Sequence, residues 1–400
     1  MAVSGDLTPA EVLAGLDEIE VVVEKLVAGG DGLARVQGVP IFIPLSAPGD
    51  RLRIRLVRRA AQYGRGQILE ILEPGAGRRS PPCRHFSVCG GCDLQHLEDD
   101  LQSRLKAQAA RETLRRLGGF ANLPPSRLVQ GRAWGYRTRA QFRTAVRDGE
   151  LEVGYFARGS HDLVAVKECP ILAPELQQQL QTLTFDDVAS APRRIDLAVG
   201  DDGATTCAPL IEGQPRGSVR RVVAGISYTY DAGAFFQVHA DLLEDLVASV
   251  VGPWSGKRAF DLYAGVGLFS LQLAKRYERV TAVESERVAA RWARLNARDN
   301  GLRNVEVHQH SLETSIQALP EDADRVVVNP PRAGLSRRVR NMIKLRAPKR
   351  LTYLSCHPAS LARDLQSLDE RYEIESLSFF DLFPQTGHIE TLVQLVLEGR

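Results

Sequence analysis

The sequence predicts an α/β protein, with a doubly wound parallel sheet in its carboxyl-terminal half preceded by a small OB-type β-barrel and a β-rich middle. Short, alternating, β-branched runs punctuated by glycine and proline fill residues 18–73. From about residue 221 the rhythm changes to strand–helix alternation. A glycine turn, Asp261-Leu262-Tyr263-Ala264-Gly265-Val266-Gly267, ends one of these strands and opens a helix, which places a ligand crevice at the carboxyl ends of the strands. A chain of 400 residues exceeds one ordinary domain, and the pattern divides it at 1–75, 76–220 and 221–400.

The amino-terminal runs are 19–23, 32–36, 39–44, 51–57 and 67–71, with turns at Gly29-Gly30, Gly38 and Pro48-Gly49. Five short strands with tight turns read as a closed barrel, a fold that often binds single-stranded nucleic acid on a basic face. The net charge of +2 conceals three basic clusters. Arg51, Arg53, Arg55, Arg58, Arg59 and Arg65 form the first; Arg104, Lys106, Arg111, Arg115 and Arg116 the second; Arg132, Arg137, Arg139 and Arg143 the third. Any one of them reads equally well as a solvated face, but three beside other signals point to a phosphate backbone.

Hydrophobic residues at 44% and charged residues at 25% are ordinary globular values, which argues against a disordered chain. No apolar run reaches the ~18 residues of a membrane span, and residues 1–15 lack a signal core, so a cytoplasmic protein is expected. Disulfides are then not expected among the six cysteines. Cys83, Cys89 and Cys92 cluster, and Cys169 follows in Lys167-Glu168-Cys169-Pro170. Four thiolates can hold zinc or an iron–sulfur cluster, and their spacing leaves both open. Cys207 has no partner and reads as structural.

Residues 97–117 carry helical periodicity that stops at Gly118-Gly119, and residues 134–230 return to strands such as 141–146 and 151–156. The later strands are 258–262, 280–284, 305–308, 325–328, 351–355 and 392–397. Gly265 lets the backbone approach a ligand, and Glu284, roughly 20 residues on, can accept hydrogen bonds from ribose hydroxyls. A nucleoside-containing cofactor follows. No Walker lysine is present, which disfavours a triphosphate, while S-adenosylmethionine and NAD both remain. Asn329-Pro330-Pro331-Arg332 ends the fourth strand and Ser355-Cys356-His357-Pro358 the fifth, and Phe383-Pro384-Gln385-Thr386-Gly387-His388-Ile389-Glu390 lies near the carboxyl terminus. Polar residues at strand ends need a reason for being there.

These stretches, with Trp134-Gly135-Tyr136-Arg137 and Phe235-Phe236-Gln237-Val238, resemble the RNA uracil-5 methyltransferases of the ribosomal-RNA type. The resemblance covers nearly the whole chain, and the barrel is similar to a TRAM domain. It implies a class I methyltransferase domain, S-adenosylmethionine as cofactor, and methylation of a uridine, in 23S ribosomal RNA rather than transfer RNA. It further implies Cys356 as a nucleophile toward uracil carbon 6, Glu390 as base, and Arg332 as an electrostatic helper. Gln237, Tyr263, Glu284 and Asn329 match cofactor-contacting positions, beside Gly265 of the glycine turn. For Cys83, Cys89, Cys92 and Cys169 it implies a 4Fe–4S cluster that ties residues 82–93 to the central strands. The target base must be splayed out to be reached, and a monomer is the default expectation.

Two positions depart from the family. Asn329 stands where an acid is usual, and His357 where an asparagine follows the nucleophile. Asn-Pro-Pro also resembles the motif of amino-group methyltransferases, which is a rival reading. A degenerate relative that binds RNA without methylating it is another.

Overall fold

A computed structural model describes residues 8–183, 191–312, 323–368 and 371–398 of the chain. The first unit opens with α1 (Pro9–Leu13), started by a reciprocal cap between Thr8 and Glu11. Six strands follow: β1 (Glu18–Val22), β2 (Lys25–Leu26), β3 (Gly32–Val36), β4 (Val39–Ile43), β5 (Arg51–Arg59) and β6 (Gly64–Glu73), paired in the order β1-β5-β6-β4-β3-β2. β1 and β2 are successive halves of one bent strand, so this order returns on itself. On one side of the bend the Val23 N–H donates to the Asp50 carbonyl at 2.9 Å, and on the other the Glu24 N–H donates to Leu33 at 2.7 Å. The predicted barrel is present, its first strand split by that bend.

Alternation along β5 sends Leu52, Ile54 and Leu56 into the barrel core and Arg51, Arg53 and Arg55 outward. Glutamates on the flanking strands share that outer face. Arg51 donates to Glu73 at 2.9 Å and to Glu20 at 3.0 Å, Arg53 to Glu70 at 2.6 Å, and Arg55 to Glu18 at 2.6 Å. For these three arginines the cross-strand acids favour the solvated-face reading over an open phosphate patch.

Next comes α2 (Asp99–Gly118), ended by Gly119 in the left-handed region as the glycine pair predicts. Its Ala110 and Leu114 pack with Leu361 and Leu365 of the last helix of the chain. The strand after it, β7 (Ser126–Gln130), joins the carboxyl-terminal sheet. Part of the segment assigned to the middle region thus builds the final one.

The middle sheet comprises β8 (Arg139–Arg147), β9 (Glu150–Phe156), β10 (Leu163–Ala165), β11 (Arg194–Val199) and β12 (Thr205–Ala208), in the antiparallel order β10-β9-β8-β11-β12. α3 (Pro174–Gln181) covers one face, where Phe142, Leu176, Ile195 and Leu197 form the core. The hairpin of β13 (Val219–Val223) and β14 (Ile226–Tyr230) packs Tyr228 and Tyr230 into the following domain. The boundary expected near residue 221 therefore falls inside one packed element.

The last unit alternates α4 (Leu243–Val251), β15 (Gly256–Leu262), α5 (Leu268–Leu273), β16 (Tyr277–Glu284), α6 (Arg287–Asp299), β17 (Val305–Gln309), β18 (Arg325–Val328), α7 (Arg337–Arg346), β19 (Arg350–Ser355) and α8 (Pro358–Gln366). β20 (Tyr372–Asp381) and β21 (Glu390–Leu397) complete an eight-stranded sheet ordered β17-β16-β15-β18-β19-β21-β20-β7. The first five strands in that order are parallel, and β21 inserts antiparallel between β19 and β20. Chain order reverses between β15 and β18, which is the crevice where doubly wound sheets take ligands. Among the described residues no helix is long and apolar enough to cross a membrane.

Candidate active site

The turn after β15 leaves Tyr263 at φ 67° and Gly265 at φ 56°. Only space lies within 4 Å of where a Cβ on Gly265 would project. The turn is held by Glu284 at the end of β16, whose Oε2 accepts the Gly265 N–H at 2.8 Å and whose Oε1 accepts the Glu286 N–H at 2.7 Å. Oε2 keeps a lone pair for a further donor, and Oε1 also accepts the Ser285 hydroxyl in a long 3.4 Å bond that a ribose hydroxyl could replace. Gln237 reaches the same cavity from the loop after β14; its side chain is 4% exposed and its Oε1 has no protein partner. A buried amide oxygen without a partner is costly unless a ligand donor meets it.

Across the crevice, Asn329 follows β18 and Cys356 follows β19. The antiparallel register that pairs Ser355 with Thr391 brings Cys356 level with Glu390, the first residue of β21. Burial pushes the Cys356 thiol up to about 11, Glu390 adds to that, and Arg332 pulls it back. Burial likewise raises Glu390 to about 8 against the pull of Arg332, and its Oε2 has no partner. Arg332 donates to the imidazole of His388, which burial and the guanidinium hold down at about 4 and therefore neutral.

His357 is engaged by the helix that follows it. Its Nδ1 accepts the Ser360 N–H at 3.2 Å, capping α8. An asparagine oxygen performs the same capping task, so this departure from the family preserves the local geometry.

The loop from Phe383 to Glu390 is clamped from three sides. The Asp93 and Leu94 amides donate to the Gln385 carbonyl at 2.8 and 3.0 Å, and Asp93 Oδ2 accepts the Gly387 N–H at 2.9 Å. From α2, Gln102 donates to Gln385 Oε1 at 2.9 Å, and Lys106 donates to Asp381 at 2.6 Å in a fully buried pair. From the barrel, Gly29 packs against Gly387. His388, Gln385 and Asp93 were given no role by the sequence. Only their place in or beside quoted motifs could have drawn attention to them.

One cavity of about 1040 Å³ brings together Gln237, Tyr263, Gly265, Glu284, Asn329, Arg332, Cys356 and Glu390. Its wall also carries Cys83, Cys89, Cys92 and Cys169. Cys92 and Cys169 sit in an apolar shell with Phe86, Tyr136, Ile171 and Val238. The Gly90 N–H donates to Phe156 at 2.9 Å, stitching the cysteine loop to β9. All six cysteines are free thiols. Among the described residues, however, no three His, Cys, Asp or Glu side chains converge closely enough to hold a metal ion. Cys207 lies in the core beneath α3, a cluster against which Cys169 also packs.

Comparison with known proteins identifies the family. The tRNA (uracil-5-)-methyltransferase family matches residues 222–398 and the TRAM domain residues 17–69. A 23S rRNA (uracil(1939)-C(5))-methyltransferase RlmD of Yersinia enterocolitica is 32% identical, with 95% of each chain covered. The chain belongs to the RNA uracil-5 methyltransferase family. The RlmD of Cronobacter sakazakii is also 32% identical, over 94% of this chain and 95% of its own. An RNA methyltransferase of Synechocystis is 30% identical, covering 94% of this chain and 95% of that protein. The class I fold is shared with a Pyrococcus abyssi tRNA (uracil-54, C5)-methyltransferase solved with S-adenosyl-L-homocysteine. The TM-score is 0.71 at 24% identity, over 94% of this chain and 100% of that one. Within this family the glycine turn, Cys356 and Glu390 occupy one crevice here, and Asn329 is the departure that faces it.

Proposed function

We propose that this chain methylates carbon 5 of a uridine in RNA, with 23S ribosomal RNA as the substrate. The observation that carries this reading is the convergence of Cys356, Glu390 and Arg332 with Glu284, Gly265 and Gln237 in one cavity. Glu284 fits the ribose of S-adenosylmethionine, and Gln237, Tyr263, Gly265 and Asn329 would complete its site. When bound, that cofactor supplies an electrophilic methyl group.

Uracil carbon 5 is a weak nucleophile. Addition of the Cys356 thiolate at carbon 6 forms a C–S bond and moves the ring electrons into an enolate that is nucleophilic at carbon 5. Arg332 beside the thiol favours the thiolate and can offset negative charge on the enolate. After carbon 5 is methylated, ionised Glu390 takes its remaining proton. Elimination then restores the ring double bond and releases the thiolate. Asn329 offers both a donor and an acceptor, so it remains compatible with a uracil edge.

Cys83, Cys89, Cys92 and Cys169 are proposed as ligands of a 4Fe–4S cluster. Their shared wall and apolar shell support it, and four soft donors suit iron–sulfur chemistry. Iron and sulfide analysis of anaerobically purified protein tests this assignment, and a zinc-only preparation would overturn it.

The activity is tested by incubating undermethylated 23S ribosomal RNA with the protein and radiolabelled S-adenosylmethionine, then digesting the RNA to nucleosides. Label in 5-methyluridine that vanishes in Cys356→Ala is expected. Label on an exocyclic amino group would instead support the amino-methyltransferase reading that Asn-Pro-Pro raises.

A further inference from the structure

The middle sheet has one face buried under α3 and one that continues out of the catalytic cavity. Ala140, Phe142, Ile195 and Leu197 fill the buried side. Alternation along β8 therefore turns Arg139, Gln141 and Arg143 to the other side. The register sets Arg194 opposite Arg143 and Asp196 opposite Gln141 on that face. Arg139, Gln141, Arg194 and Phe235 line the cavity itself, and Arg143 lies one same-face step beyond.

Two features of this face fit a nucleic-acid strand. Arg139, Arg143, Arg147 and Arg194 outnumber its acids, Asp196, Glu152 and Glu150. Asp196 is occupied by Arg194 at 2.8 Å and Glu152 lies 3.4 Å from Arg147, whereas Arg143 has no carboxylate partner among the described residues. The second feature is aromatic. The Arg143 guanidinium stands 5.0 Å from the Phe156 ring, and Arg139 stands 6.0 Å from Phe235, which is 51% exposed. Bases stack on aromatic rings and on guanidinium planes alike. Same-face residues on a strand repeat every ~7 Å, a spacing that an extended ribose-phosphate chain can follow.

We propose that this face is the track for the single-stranded RNA flanking the target uridine, with Phe235 and Arg139 at the cavity mouth and Arg143 with Phe156 holding the next nucleotides. The proposal rests on the uracil-5 methyltransferase reading, because that reading places the target base in the cavity from which the track leaves. A protein ligand is disfavoured, because the face sets Arg143, free of carboxylates among the described residues, and Arg139 against aromatic rings, the surfaces on which bases stack.

The test uses the full-length protein and a short fluorescein-labelled oligouridylate, with affinity measured across a salt series. Arg143→Ala should weaken binding and reduce the slope of log affinity against log salt by about 0.7, the loss of one phosphate contact on a single strand. Phe156→Ala should weaken binding about tenfold with the slope unchanged, since stacking releases no counterions. In methyl transfer both variants should raise KM for RNA far more than they lower kcat. Arg298→Ala, an exposed change on α6, should alter neither affinity nor slope. Wild-type affinity and slope in Arg143→Ala, with Phe156→Ala also unchanged, would overturn the track. Oligouridylate binding that follows the predicted pattern while no uridine is methylated would instead overturn the functional reading and leave the track standing.

Discussion

Gly387, three residues before Glu390, is packed so tightly on Gly29 of the barrel that a Cβ at position 387 would lie 2.2 Å from the Gly29 carbonyl oxygen. The amino-terminal barrel is therefore part of the wall behind the active-site loop.

Gly387→Ala should force the barrel and the loop apart. We expect a loss of about 1–3 kcal/mol, typical of overpacking, and a larger drop in methyl transfer than in S-adenosylmethionine affinity. Denaturant unfolding and calorimetric titration check the two parts.

The buried pair of Lys106 and Asp381 anchors the same loop, with Ser103 also donating to Asp381 at 2.7 Å. Lys106→Met leaves a buried carboxylate facing only neutral donors and should cost about 3–5 kcal/mol. Lys106→Met combined with Asp381→Leu should recover most of that loss in the same unfolding experiment.

His357 should be replaceable by asparagine with little consequence. Both side chains cap α8, so His357→Asn should stay within about 0.5 kcal/mol of wild type and keep its activity, while His357→Ala should lose about 1 kcal/mol. Thermal unfolding with parallel methyl-transfer assays decides it. Activity lost in the asparagine variant would show that His357 acts on the substrate.

Glu390 makes the chemistry pH-dependent. Its proton affinity is raised from 4.5 to about 8 in the folded protein, so the folded state holds a proton that the unfolded state has released between those values. Stability from this group is full below about pH 4.5 and is lost as pH rises through about 8. The Tm of wild type should therefore fall relative to Glu390→Gln across that window. Catalysis has the opposite sign, because the base must be ionised. The kcat/KM should climb through pH 8, and Glu390→Gln should stall after methylation and accumulate a covalent complex even on ordinary uridine.

Much of this arrangement was legible in the sequence because its determinants are local. The turn at Gly265, Glu284 at the next strand end, and the polar ends of β18 and β19 each sit in a continuous stretch with strand or glycine signals. β20 was not legible: its burial pattern is irregular and its register shifts between Ile374 and Ser376, so neither alternation nor helical period marks it. β7 was assigned to the middle region because its partner, β20, lies far along the chain. The pairing of Arg51, Arg53 and Arg55 with glutamates also depends on strand register, which a count of basic residues does not contain. Gln385 and Asp93 work through hydrogen bonds to segments distant in the chain, which no local motif reports.

The most direct measurement combines the protein, S-adenosylmethionine and 23S ribosomal RNA containing 5-fluorouridine. Fluorine at carbon 5 cannot leave as a cation, so Glu390 has no proton to remove and elimination is blocked. The account predicts a methylated protein–RNA adduct that survives denaturing electrophoresis, maps to Cys356, and is absent in Cys356→Ala. Folded protein that binds both cofactor and RNA yet forms no adduct, or forms one that persists in Cys356→Ala, would contradict it.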